Sequence, residues 1–274
     1  MRRIRNSFAV CAALLCLLPV LPASGDADAE AGRNTAAKWQ DAVVTLQLVI
    51  KTSMSYGGEE GMKQEIKSEA TGAVIDPSGL VVTSLSVTSP TDVLSSIMTD
   101  NSEGKVDFSS ELVDIKILLL DGQELPAKIV LRDKDLDLAF IRPKQKPAKP
   151  LAAIDFTKAA KPALLDQVII LHRLGTVASR SLAACMDRVQ SIVEKPRTFY
   201  IPGVASMGAS LGAPIFAMDS GPIGLLLLRT LQTKSADMSL FSGLSGMGLT
   251  YMVLPAADIL EAAKQAPQSA EEAK

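Results

Sequence analysis

The chain holds one histidine and three cysteines, so base and thiol chemistry have few places to sit. His172 is the one imidazole, the side chain best suited to take up a proton near neutral pH. It stands in the apolar run Ile169-Ile170-Leu171-His172-Arg173 and is expected to be a strand-end or loop histidine. Cys185 follows thirteen residues later. The two could pair as nucleophile and base, but a lone Cys in such surroundings is expected to be a small buried hydrophobe. Structural zinc needs about four His, Cys or carboxylate ligands, so no metal and no cofactor is expected. Glu59-Glu60 and Glu271-Glu272 are solvated surface charges. The glycine-rich run 243–248 lacks the GxxxxGK[ST] pattern of a phosphate cradle and is a loop before a strand.

The elements that must position such groups begin with composition. Of 274 residues, 47% are hydrophobic and 21% charged, the balance of a globular chain with a packed core. At about 100–200 residues per domain, this length makes one large unit or two small ones. A net charge of −2 supplies no positive field for nucleic acid or for an anionic membrane surface. The mean hydropathy of +0.23 owes much to the N-terminus. Arg2, Arg3 and Arg5 precede an apolar stretch over 8–21, and Pro22-Ala23-Ser24-Gly25 supplies small residues for cleavage. That makes residues 1–25 a cleaved export signal rather than a spanning helix, and the mature protein periplasmic or secreted. A lipid-anchored cysteine needs a small residue before it, whereas Val10 and Leu15 precede Cys11 and Cys16. Cleavage takes the net charge from −2 to −5 and leaves Cys185 as the single thiol. No intrachain disulfide can then form, although the compartment permits one. No other run is long and apolar enough to span a bilayer.

Residues 26–37 are small, polar and acidic, and are expected to be a disordered spacer. Alternation of Val44, Leu46, Leu48 and Ile50 with Thr45 and Gln47 predicts a strand. The stretch 55–68 is expected to be a loop, and 89–110 a polar insertion. Asp76-Pro77-Ser78-Gly79 and Asp121-Gly122 are hairpin turns between short apolar runs. Three prolines and four basic residues over 142–150 mark an extended linker. The second half carries further short strands, a turn at Asp219-Ser220-Gly221 and a helix over 255–265. The expected organisation is a first barrel at 38–143, a linker at 144–150, a second barrel with its closing helix at 151–265 and a frayed tail at 266–274. The fold class is all-β, two antiparallel β-barrels with a C-terminal helix.

In order along the chain, these motifs resemble the trypsin-like serine proteases of the HtrA/Deg type. Residues 71–83, TGAVIDPSGLVVT, are similar to the family's GSGVIIDxxGxIVTNxHV hairpin. Leu120-Asp121-Gly122-Gln123-Glu124 with Ala127-Lys128-Ile129-Val130 resembles its xDGxxxxAxVV hairpin, and residues 133–141 its DxxxDLAVL segment. Residues 208–214 resemble GNSGGPL, Ser220-Gly221-Pro222-Ile223-Gly224 the xGxVIG turn, and residues 248–255 the GxxFAIP strand. The resemblance covers about residues 40–262 and implies a catalytic cleft between two β-barrels, with no PDZ domain expected after them.

Family chemistry needs a serine nucleophile, a histidine base, an aspartate that orients it and N–H groups for the oxyanion. The resemblance places the aspartate at Asp137 and puts Ser86 where the histidine belongs. A serine hydroxyl cannot act as a base near pH 7. Counting back from Pro214 places the family serine at Leu211, whereas counting forward from Gly208 places it at Ser210. The oxyanion backbone falls on Gly208, Ala209 and Ser210. Without a histidine, Asp137 is expected to cap a turn or bond Ser86. A Ser–Lys dyad is conceivable, but no lysine stands at a family catalytic position. The leading expectation is therefore an exported pseudoprotease that binds a peptide or protein, by strand addition or in the old cleft. The rivals are an active serine endopeptidase, with Ser210 as nucleophile and a lysine or a distant His172 as base, and a structural module that forms a homo-oligomer.

Overall fold

The computed structural model describes residues 25–56, 59–90, 106–203, 209–230 and 249–272. The expected signal, most of the insertion at 89–110, Gly208 and the glycine-rich run 243–248 lie outside these residues. The first barrel is built from β1 (Val43–Tyr56), β2 (Glu59–Asp76), β3 (Leu80–Ser84), β4 (Val106–Leu118), β5 (Glu124–Asp133) and β6 (Leu138–Pro143). They close in the order β1-β2-β3-β6-β5-β4. The second uses β7 (Gln167–Arg173), β8 (Leu182–Val193), β9 (Phe199–Pro202), β10 (Pro214–Ala217), β11 (Pro222–Thr230) and β12 (Leu249–Pro255), closed as β10-β11-β12-β9-β8-β7. All neighbours are antiparallel.

Each barrel fills its interior with one face of its strands. Leu46, Leu48, Val74, Val81 and Ile117 are buried in the first, and Val168, Ile170, Ile215 and Leu226 in the second. The opposite faces of both barrels meet in a third cluster around Leu138, Phe140, Phe156, Phe216 and Leu225. Strands that are apolar on both faces, such as β3 and β6, therefore sit where the barrels join, with interior on either side. The turn glycines behave as the sequence indicates: Gly79 and Gly122 have φ of 97° and 86°, which glycine adopts at little cost. Helix α2 (Ala256–Ala263) starts after Pro255 and buries Ala256, Ile259 and Ala262.

Three expectations need correction. Residues 26–37 are not a spacer but most of helix α1 (Gly25–Trp39). Alanines at 27, 29, 31, 36 and 37 favour the helix. It is also anchored: Trp39 stacks on Phe216 with centroids 5.9 Å apart, and its Nε1 donates to Ser220 O at 3.0 Å. Thr35, fully buried, shares a 2.8 Å hydrogen bond with the Ser220 hydroxyl. The expected loop at 55–68 is instead the end of β1 and much of β2, because Ile66 faces Ile50 and pairing continues to Glu59. The tail packs back rather than fraying: Arg142 Nε donates to Pro267 O at 2.7 Å, and Ala266 and Ala270 are buried.

An anchored α1 has a measurable weight. Trp39→Ala should lower stability by about 3 kcal/mol and Thr35→Ala by about 1 kcal/mol, read from urea midpoints of the mature protein. Midpoints unchanged in both variants would restore the disordered spacer.

Candidate functional site between the barrels

β3 is buried along its length and ends at Ser84, after which a short turn at Leu85–Val87 aims Ser86 back toward β6. Asp137 precedes β6 with φ of 57°, a left-handed conformation that aspartate tolerates better than most residues. That conformation lets its carbonyl accept from Leu85 N at 2.9 Å while its carboxylate faces the same turn. Ser84 Oγ donates to Oδ2 at 2.5 Å; Ser86 N and Ser86 Oγ donate to Oδ1 at 2.8 and 2.7 Å. The N–H of Leu228, from β11 of the other barrel, is a fourth donor. Four donors match the four lone-pair positions of a carboxylate. Burial nevertheless raises the Asp137 pKa above its ordinary value, and the serine and backbone hydrogen bonds only partly counter it. The expected Ser86–Asp137 bond is present. The cluster holds no imidazole, and its hydroxyls remain protonated near neutral pH.

The other side of the cleft is the turn from Ala209 to Ala213. Gly212 has φ of 83°, and its N–H donates to Leu226 O at 2.7 Å. A Cβ there would sit 2.2 Å from Thr83 Oγ1, 2.8 Å from Thr71 O and 3.0 Å from Ser84 N. Glycine is thus required twice over, by conformation and by the contact with β2 and β3. Leu211 adjoins this contact. The Ser210 hydroxyl is instead bonded within the second barrel, 3.4 Å from His172 Nδ1 and 3.5 Å from Arg173 O. Among the described residues no hydrogen bond joins Ser210 to Ser86 or Asp137, or to a lysine.

The Ser210–His172 contact departs from the expectation of a distant histidine. His172 lies in β7, is 7% exposed, and burial lowers its pKa, so it is neutral near pH 7. Register brings it there: Ile170 pairs with Ile215, and two residues further along the pairing His172 reaches the turn before Pro214. That signal was available in the spacing from Pro214, once β7 and β10 are neighbours. Cys185, on β8, pairs with Ile170 of β7 and is half-buried rather than fully enclosed; burial pushes its thiol pKa up. No described hydrogen bond links it to His172. No group of three or more His, Cys, Asp or Glu that could hold a metal occurs among the described residues.

A family model for the trypsin-like peptidase domain matches residues 70–225, more than half of the chain. The chain belongs to the trypsin-like peptidase domain family. A protein named Putative protease Do-like 14 from Arabidopsis thaliana is 24% identical over 224 residues, 80% of this chain and 47% of that protein. The chain thus spans about half the length of this relative, whose name accords with the HtrA/Deg-type motifs. The protease domain of MamO from Magnetospirillum magneticum, in its apo form, has the same fold with a TM-score of 0.50 and 15% identity. That likeness covers 82% of this chain and 96% of the MamO domain.

A trypsin-like domain that keeps the Asp137 carboxylate in these surroundings must show it in its stability. The folded-state pKa is raised, so the folded protein holds the proton more tightly than the unfolded chain. Stability is then lost as pH rises from the unfolded aspartate value of about 3.9 toward the folded value. Asp137→Asn should lack this dependence, so its melting temperature should gain less than that of wild type on going from pH 7 to about pH 4. Equal gains in wild type and variant would mean that the folded protein does not hold the Asp137 proton more tightly than the unfolded chain.

Proposed function

We propose that this protein is an exported trypsin-fold protein that has lost peptide-bond hydrolysis and acts by binding an extended peptide or protein segment. The observation that carries this reading is the Asp137 carboxylate hydrogen-bonded by Ser84, Ser86 and two backbone N–H groups, with no imidazole in the cluster. Loss of the histidine alone costs a serine protease on the order of a millionfold in turnover. The nucleophile is displaced as well: Leu211 beside Gly212 has no nucleophilic atom, and the Ser210 hydroxyl is bonded to the second barrel. Export rests on the basic head at Arg2, Arg3 and Arg5, the apolar stretch over 8–21 and the small residues through Gly25. The destination is the periplasm or the cell exterior.

The 3.4 Å contact between Ser210 Oγ and His172 Nδ1 favours a second reading, an active serine enzyme with a rearranged site. Three features weigh against it. The contact is longer than the roughly 2.6–3.2 Å of a working nucleophile and base. The imidazole is only 7% exposed. Among the described residues, no carboxylate hydrogen-bonds to His172 to orient it and to stabilise a positive ring.

Covalent labelling with a fluorophosphonate separates the two, since this probe reports an activated serine whatever the substrate. Purified mature protein should remain unlabelled, while Ser86→His combined with Leu211→Ser should gain labelling. Labelling of the wild type that is lost in both Ser210→Ala and His172→Ala would overturn the pseudoprotease reading in favour of the second.

A further inference from the structure

We propose that the inter-barrel cleft accepts a cationic side chain of its ligand, lysine, arginine or protonated histidine, against the Asp137 carboxylate and the Ser86 hydroxyl. The inference rests on the reading that this cleft binds a peptide, and it names the class of side chain selected there. Every donor on Asp137 among the described residues is neutral: two serine hydroxyls and two backbone N–H groups. Among the described residues no Lys, Arg or His forms an ion pair or hydrogen bond with it. The two buried guanidinium groups among the described residues are engaged elsewhere, Arg173 on Val43 O and Gln40 O and Arg142 on Pro267 O and the Ser78 hydroxyl. A carboxylate withdrawn from water without a counter-charge is unfavourable, and a partner that brings the charge offsets part of that penalty.

The cluster is also not wholly enclosed. Ser84 is sealed in the core, whereas Asp137, Ser86 and Leu228 are each only partly buried where the two barrels meet. The Ser86 hydroxyl donates its one proton to Asp137, so its lone pairs remain for an incoming N–H donor. What faces a ligand is therefore the Ser86 oxygen backed by the negative charge of Asp137, in surroundings of reduced dielectric where charge matters more. A neutral side chain gains little from this arrangement, and an acidic one is repelled, which gives the site a sign as well as a location. The raised Asp137 pKa agrees with a carboxylate that lacks a positive neighbour.

The test uses mature, isotopically labelled protein at pH 7.5, titrated with methylguanidinium and, separately, with methylurea, a neutral molecule of the same shape. Saturable shifts of the Ser86 and Leu228 amide signals are expected with methylguanidinium and not with methylurea. Asp137→Asn should weaken methylguanidinium binding at least tenfold while remaining folded, and Ser86→Ala should weaken it by a smaller factor. Equal shifts with the two probes, or unchanged affinity in Asp137→Asn, would overturn the proposal. An array of extended peptides then distinguishes its failure from failure of the binding reading. Binding without preference for basic residues removes the cation site and keeps the peptide-binding role. Binding of methylguanidinium by a protein that fluorophosphonate labels keeps the site and removes the pseudoprotease role.

Discussion

A carboxylate buried where two barrels meet must find donors, and the local structure around the cleft is arranged by that demand. Asp137 takes donors from the end of β3, from the turn after it and from β11 across the interface. Its own backbone is bent into the left-handed region, which places the Asp137 carbonyl on Leu85 N and the carboxylate on the residues either side of Leu85. The turn at 85–87, the entry to β6 and the approach of β11 are therefore fixed by one side chain. Because the Leu228 donor belongs to the other barrel, the same group also sets how closely the barrels approach.

A second buried charge acts in the opposite sense. The Arg173 guanidinium donates to Val43 O at 2.7 Å and Gln40 O at 2.6 Å, and its backbone N–H donates to Thr71 Oγ1 at 3.0 Å. Carbonyls rather than a carboxylate receive this cation, so it draws the start of β1 and the edge of β2 onto β7. Glu69 adds an ion pair with Arg180 at 2.7 Å from the loop that follows β7. Gly212 closes the gap between the two charged groups, since a side chain there would collide with β2 and β3. Aspartate, arginine and glycine thus hold the cleft without any residue needing to perform a reaction.

The two barrels were legible because turns are local. Asp76-Pro77-Ser78-Gly79 encodes its bend in four adjacent residues: Gly79 supplies the positive φ, and Asp76 accepts from Ser78 N at 2.7 Å. Asp137 was legible for the same reason, lying in a short segment of characteristic pattern. Helix α1 was not, because its stability comes from Thr35 and Trp39 meeting Ser220 and Phe216 more than 175 positions away, while its own composition is that of a polar spacer. Pairing beyond Lys51 was hidden by glycine and charge, which suit a loop when read alone and a solvent-facing strand when a neighbour is present. The Ser210–His172 contact depends on the register of β7 against β10 and is invisible until that pairing is known.

Serine at position 86 shows how such a fold can seat its aspartate without an imidazole beside it. In a protease an imidazole N–H would donate to the aspartate; here the Ser86 hydroxyl donates to Asp137 Oδ1 at 2.7 Å, with the Ser86 N–H beside it. The hydrogen-bond count of the carboxylate is therefore satisfied with no group able to accept a substrate proton. Structure and catalysis place different demands on that position: structure asks for a donor, and catalysis asks for a donor that is also a base. Serine meets the first and fails the second. The exchange is not electrically neutral at the moment of reaction, because an imidazole could become positive and a hydroxyl cannot. Asp137 is left as a carboxylate whose positive partner can come only from outside the described cluster, and this is the observation behind the proposed preference for cations.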